Sequence, residues 1–313
     1  MKRYVTLSVA AALWLAVAIG TAEGTVGSPP ADSSWVRMGS VRTASLWPVT
    51  AEDRTGAIPA FSPVDGRNAQ GRTASSRFRP GRFVLWGTAN AGAAVIAYRQ
   101  SQAAWGASSG KFHFKDDWRG DGLALSDEFS HLFASYRLSQ VVYSGYSWTG
   151  VGADRARRLA AIEAWAWMFL VEFPIDAFNP EQGFGVSDLV FNTAGVIAAY
   201  ARGHDTAPRW DIKISVKRSF LEGRSRLIAY TNAQYDDYIY WLTIRPVRHL
   251  GLPQIGVGYS TAHDARPGII KELRLGVGYS LDQVGELLGR RAARLLRPFN
   301  FFFFNLNVPI RWR

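Results

Sequence analysis

The sequence predicts an α+β chain: a helical bundle followed by a C-terminal antiparallel β-sheet or a small β-barrel of the outer-membrane kind. Three observations carry this. Between 82 and 203 run four apolar, Ala-rich segments of helical length, each bounded by Gly, Pro, Asn or Asp. After Pro208 the apolar period becomes two, as in Asp211-Ile212-Lys213-Ile214-Ser215-Val216-Lys217. No helical segment offers about 18 uninterrupted apolar residues, which favours a bundle over spanning helices.

The chain begins Met1-Lys2-Arg3, followed by an apolar run to Gly20 and the small residues Gly20-Thr21-Ala22. A basic start, an apolar stretch and a small-residue cleavage site describe a secretory signal peptide over 1–22. From 23 to 80 the chain is rich in Ser, Pro, Gly, Ala and Arg without a sustained period. That composition predicts a flexible arm, with one short strand near Val41–Pro48.

A bundle region is expected over 81–205, with helices at Phe83–Ser101, Leu123–Tyr143, Arg155–Phe173 and Ser187–Ala201. A β-region is expected over 206–313. Its strand candidates are Asp211–Lys217, Arg226–Tyr235, Tyr238–Val247, Gln254–Ser260, Leu273–Tyr279 and Phe299–Trp312. Several approach the roughly 9–11 residues of a membrane-crossing strand. Tyr and Trp near their ends (Tyr230, Tyr235, Tyr238, Tyr240, Trp241, Tyr259, Tyr279, Trp312) suit an aromatic girdle, although a soluble meander fits the same pattern. Gly256-Val257-Gly258-Tyr259-Ser260 recurs as Gly276-Val277-Gly278-Tyr279-Ser280, two similar hairpin strands rather than a repeat architecture. One helix, Leu281–Arg297, places Val284, Leu287, Leu288, Ala292 and Leu295 on one side and crowds Arg290, Arg291, Arg294 and Arg297 into its second half. It suits an anionic membrane face or a solvated face packed on the sheet.

Composition narrows the function classes. There is no cysteine, so disulfides, thiolate metal sites, cysteine nucleophiles and Cys lipidation within this sequence are excluded. The balance of 36 Lys+Arg against 25 Asp+Glu gives a net charge of +11. With export, that charge points to an anionic membrane or envelope surface as partner and away from nucleic acid. No phosphate loop, dinucleotide fingerprint or nucleophile elbow occurs in a credible context.

Chemistry is expected where polar residues interrupt apolar helices. Asp127 and His131, Glu172 and Asp176, and Asp188 and Asn192 are each spaced by four, which puts both members of a pair on one helical face. If the faces converge, one imidazole meets several carboxylates, which cannot all ionise without a cation or a shared proton. Three readings stay open. One is a His–carboxylate metal site. The second is a His–Asp acid/base pair. The third is a satisfied buried network in which Ser187 and Asp188 cap the fourth helix. The cofactor, if any, is unknown at this level. The Asp116-Asp117-Trp118-Arg119-Gly120-Asp121 turn lacks calcium-loop spacing and reads as a solvated loop.

These residues resemble a known group. Phe112-His113-Phe114, Trp118, Asp127 with His131, Tyr136, Glu172 with Asp176, and Gly185-Val186-Ser187-Asp188-Leu189-Val190-Phe191-Asn192-Thr193-Ala194-Gly195 are similar to the YfiM-like predicted periplasmic lipoproteins of unknown function. Tyr238-Xaa-Tyr240-Trp241-Leu242, Gly256-Val257-Gly258-Tyr259 and Asn307-Val308-Pro309 extend the likeness. The Asp/His, Glu and Ser-Asp-Asn-Gly series also looks like the VanZ-like motif set of small membrane proteins. The group carries Asp-Lys where this chain has Asp127-Glu128, so the expectation is that a Lys–carboxylate pairing is lost. The resemblance implies a periplasmic or outer-membrane protein without an assigned reaction. The expected function is therefore an exported envelope protein with a buried polar cluster, the alternatives being a hydrolase or transferase on lipid or cell-wall intermediates and a structural scaffold.

Overall fold

A computed structural model describes residues 77–105, 108–115, 124–203, 209–217, 235–246, 251–263, 268–289 and 299–313, together with positions 292 and 296. The expected signal peptide, nearly all of the arm, the Asp-rich turn, the strand candidate before Tyr235 and most of the basic run 290–297 lie outside them.

Four long helices come first: α1 (Pro80–Trp105), α2 (Ser126–Trp148), α3 (Ala153–Leu170) and α4 (Val186–Arg202). α3 passes into a π-helical turn, Val171–Asp176, instead of continuing to Phe173 as an α-helix. Two glycines set how closely the helices approach. A Cβ on Gly145 of α2 would lie 2.4 Å from the Trp86 ring, so Trp86 of α1 seats where glycine leaves room. A Cβ on Gly195 of α4 would lie 2.0 Å from Ser135 Oγ and 2.3 Å from the Leu132 carbonyl oxygen. This close approach brings the polar faces of α2 and α4 together.

The strands β1 (Trp210–Val216), β2 (Tyr238–Ile244), β3 (Gln254–His263), β4 (Ile269–Ser280) and β5 (Phe303–Trp312) form an antiparallel meander in sequence order. Its edges touch at the bridge between Ile214 and Phe302, where Ile214 N donates to the Phe301 carbonyl at 2.9 Å. The ladder does not continue from there, so the sheet curls without closing into the barrel that the strand lengths allowed. Bundle and sheet are joined at β1. Buried Asp211 accepts from Tyr136 and pairs with Arg202 at 3.4 Å and Lys213 at 2.9 Å. Arg137 donates to the Ile212 carbonyl and so occupies part of the strand's free edge.

The two faces of the sheet are inverted relative to a soluble protein. The rows Ile244–Ile255–Val277–Leu306 and Leu242–Val257–Leu275–Val308 run side by side across four strands, and all eight side chains are exposed. The opposite face buries Thr243, Gln254, Ser260, Glu272 and Ser280. Glu272 there binds Lys217 at 2.9 Å, Arg274 at 2.6 Å and Arg311 at 2.8 Å. The recurrent glycines belong to this inner face. A Cβ on Gly258 or Gly276 would come within 2.7 or 2.8 Å of the Trp241 ring, which fills the space they leave. Trp241 is therefore interior packing rather than part of a girdle. Tyr240 and Tyr259 likewise stack against Phe129 of α2, with centroids 6.4 and 4.9 Å away.

The helix after β4, α5, covers only Leu281–Leu288. Ser280 and Gln283 form a capping box at its start, and Gly289 at φ 102° stops it. The single helix expected to Arg297 therefore ends nine residues after Ser280, at a glycine in a conformation other residues avoid.

Candidate functional site

The polar residues of the bundle converge. Asp127 and His131 come from the first two turns of α2, Asp188 and Asn192 from α4, and Glu172 from the π-turn after α3. Oε1 of Glu172 lies 3.3 Å from His131 Nδ1, and Oδ1 of Asp127 lies 3.7 Å from Nε2. Asn192 links the set: its Oδ1 is 3.2 Å from His131 Nδ1, and its Nδ2 donates to Glu172 Oε1 at 3.1 Å. The i, i+4 spacing thus delivers the first and third pairs as expected. The second pair meets the cluster differently, because Phe173 between its members is extended (φ −142°, ψ 118°) and the π-turn re-aims them. Glu172 faces His131, while Asp176 lies within reach of the cluster's charges.

Two members escaped the sequence reading. Lys115 donates to Asp127 Oδ2 at 2.8 Å and to Asp188 Oδ2 at 3.1 Å. It replaces the Lys–carboxylate pairing whose loss was expected at Glu128; its signal was the basic residue closing Phe112-His113-Phe114-Lys115. Tyr235 donates to Asp127 Oδ1 at 2.7 Å, from a position with no motif around it. The expected capping by Ser187 and Asp188 is not what the residues do. Gly185 holds the N-cap of α4, Ser187 donates to buried Glu128 at 3.2 Å, and Asp188 takes Lys115. A Cβ at Gly185 would lie 2.2 Å from Asp188 Oδ2, so a larger residue there would push aside the carboxylate that holds Lys115.

Side-chain exposure grades across the cluster: 1% for Glu172, 5% for Asp188, 12% for Asp127, 16% for His131 and 17% for Lys115. Glu172 and Asp188 are the most enclosed, and Asp127, His131 and Lys115 are only slightly more exposed. Burial alone would push His131 down, but Asp127, Asp188 and Glu172 outweigh it and hold the imidazole up at about 9. Burial raises Glu172 to about 8, with His131 opposing and the other carboxylates adding. Burial also raises Asp176 to about 6. Asp127 goes the other way: His131 and Lys115 overcome its burial and lower it. Near neutral pH the site therefore holds an imidazolium beside a neutral Glu172, with Asp127 ionised between two cations.

Such a set can store and move protons. It also touches on metal binding, since Asp127, His131 and Asp188 each offer a ligand atom within 4.8 Å of the others. The Lys115 ammonium already satisfies two of those three, so a metal ion would have to displace it and deprotonate His131.

The fold and cluster define an α+β protein with a buried histidine–carboxylate site and an outward apolar sheet. Residues 114–203 match the family described as "Predicted periplasmic lipoprotein (DUF2279)". The matched stretch holds Lys115, Asp127, His131, Glu172, Asp176, Asp188 and Asn192, the whole cluster apart from Tyr235. That description agrees with an exported protein of the periplasm or outer membrane. No curated protein and no solved structure is significantly similar to the chain.

Proposed function

We propose that this chain is an exported cell-envelope protein that associates with the outer membrane through its C-terminal sheet and carries an acid–base centre in its bundle. The observation that carries the membrane half is the inversion of the sheet: apolar rows outward, buried Glu272 with Lys217 and Arg274 on the opposite face. Water solvates an exposed Leu or Val row poorly, and an apolar area of this kind is ordinarily covered. An inward polar lining with an outward apolar band is the pattern of β-structure facing lipid. Among the described residues no helix is long and apolar enough to span a membrane. An anionic envelope surface suits the net charge of +11.

Fractionation tests this. The chain is expected in the outer-membrane pellet, resistant to high salt and alkaline carbonate and released by detergent. Release by salt alone would reject the sheet as the attachment.

A second reading, hydrolysis or group transfer on lipid or cell-wall intermediates, is favoured by the His131–Glu172 pair. His131 would act as acid/base, Asp127 would orient it, and Glu172 would supply or take the second proton.

A further inference from the structure

The segment Gly110-Lys111-Phe112-His113-Phe114-Lys115 leads directly into the cluster and exposes two aromatic rings. Phe112 and Phe114 are 45% and 64% exposed, in contact edge to face at 5.1 Å. His113 between them turns inward, against Gly183, where an added Cβ would meet its ring at 3.0 Å. The backbone is held on both sides. Gly110 N donates to the Phe178 carbonyl at 2.7 Å, Lys115 N to Phe184 at 3.0 Å, and Phe184 N returns to His113 at 2.8 Å. The rings are therefore set on a fixed ridge: Phe112 and Phe114 each lean on Phe184, at 6.3 and 5.8 Å, and leave their remaining surface exposed. Lys111, exposed, precedes them, and Lys115 follows with its ammonium in the cluster.

Fixed exposed aromatics beside an exposed lysine, Lys111, combine apolar insertion with attraction to anionic headgroups. We propose that the Lys111–Lys115 ridge inserts Phe112 and Phe114 into the acyl region of an anionic bilayer. Lys115 adjoins Phe114 and carries its ammonium into the cluster, so insertion sets the Lys115 side of the His131 cluster at headgroup depth. The substrate class of the site is then a lipid headgroup or a lipid-linked intermediate. This rests on the acid–base reading of the cluster, but the insertion itself does not depend on the sheet.

The absence of cysteine makes the test direct, because one introduced thiol is the only one to label. Full-length Phe114→Cys, carrying an environment-sensitive fluorophore, is mixed with phosphatidylethanolamine/phosphatidylglycerol vesicles containing acyl-chain spin-labelled lipid. Phe112→Cys serves as a second ridge position in case one substitution disturbs the loop, and the circular dichroism of both is compared with the parent. Leu306→Cys reports the sheet, and Asp154→Cys, at a side chain 87% exposed on α3, is the reference in water. Ridge labels are expected to shift to the blue and to be quenched, with a smaller response on phosphatidylcholine vesicles. Ridge labels that stay in water while the Leu306 label is quenched would overturn the ridge and leave the sheet standing. Quenched ridge labels with the Leu306 label in water would support the ridge and overturn the sheet. Labels in water at both places would overturn both. Equal quenching on phosphatidylcholine would remove the anionic specificity.

Discussion

His131 Nδ1 stands 3.3 Å from Glu172 Oε1, with imidazole and carboxyl both biased to keep their protons. The pair is the chemical centre of the cluster. A neutral acid beside a cation is a proton store, and the two titrate as a unit rather than independently.

This pair predicts a pH dependence of stability. In the folded chain His131 rises from 6.5 to about 9, and Glu172 from 4.5 to about 8. The folded state thus binds more protons than the unfolded state, and stability falls as pH rises. The His131 contribution is full below 6.5 and is lost as pH passes about 9. It is on the order of 3 kcal/mol. Glu172 adds to the decline at lower pH: its contribution is full below 4.5 and is lost by about 8, where the buried carboxyl ionises. Denaturant unfolding from pH 6 to pH 9 is expected to show the decline, and Glu172→Gln to flatten it. A midpoint that rises over that interval, or a slope unchanged in Glu172→Gln, would contradict the assignment.

Lys115 gives a second prediction. Its ammonium separates Asp127 from Asp188, so Lys115→Gln leaves two carboxylates facing each other and an imidazole close by. At neutral pH the variant is expected to lose about 1–3 kcal/mol. It is also expected to gain affinity for a divalent cation such as Zn²⁺, because the ion takes the place of the lost charge. Thermal melts with and without Zn²⁺ measure both effects. A melting rise equally large in the unsubstituted chain would mean that Lys115 is not the competitor.

A third prediction concerns helix approach. Gly195→Ala puts a methyl group 2.0 Å from Ser135 Oγ and 2.3 Å from a backbone oxygen of α2. The serine can rotate; the backbone cannot, so α4 must move away. The cost is expected at about 1–3 kcal/mol or more. Because Asn192 rides on the same helix, the imidazole resonance of His131 should shift with it. An unshifted resonance at reduced stability would separate packing from the site.

How much of this was legible in the sequence follows from which interactions are local. The change of period after Pro208 and the Ala-rich segments depend on neighbouring side chains, so bundle and sheet could be read directly. The i, i+4 pairs of α2 and α4 were readable for the same reason. Lys115 was not, since its partner on α4 is 73 residues away and no spacing rule links them. The Glu172–Asp176 geometry was hidden because an extended Phe173 breaks the helix that the spacing assumed. The inner position of Trp241 was hidden because its pocket is made by glycines on two other strands. The helix expected to Arg297 failed at Gly289, a residue tolerated in a helical pattern but here past its end.

The last prediction uses the outward rows. Leu306 is 87% exposed and lies in register with Val277, Ile255 and Ile244. On a water-facing sheet Leu306→Arg would be close to neutral and would improve solubility, because the side chain packs against little. On a lipid-facing sheet the same arginine must leave the hydrocarbon or carry water into it, at about 2–4 kcal/mol if it lies near the bilayer midplane. The envelope reading therefore expects Leu306→Arg to weaken membrane retention while the isolated chain in detergent unfolds as before. Glu272→Gln makes the converse test. It removes the inward carboxylate that holds Lys217, Arg274 and Arg311, and it is expected to destabilise the sheet in detergent and membrane alike. The two variants thus separate a face that matters only to lipid from a face that matters to the fold, and Leu306→Arg retained in the pellet as firmly as the parent would mean that the apolar rows meet something other than hydrocarbon.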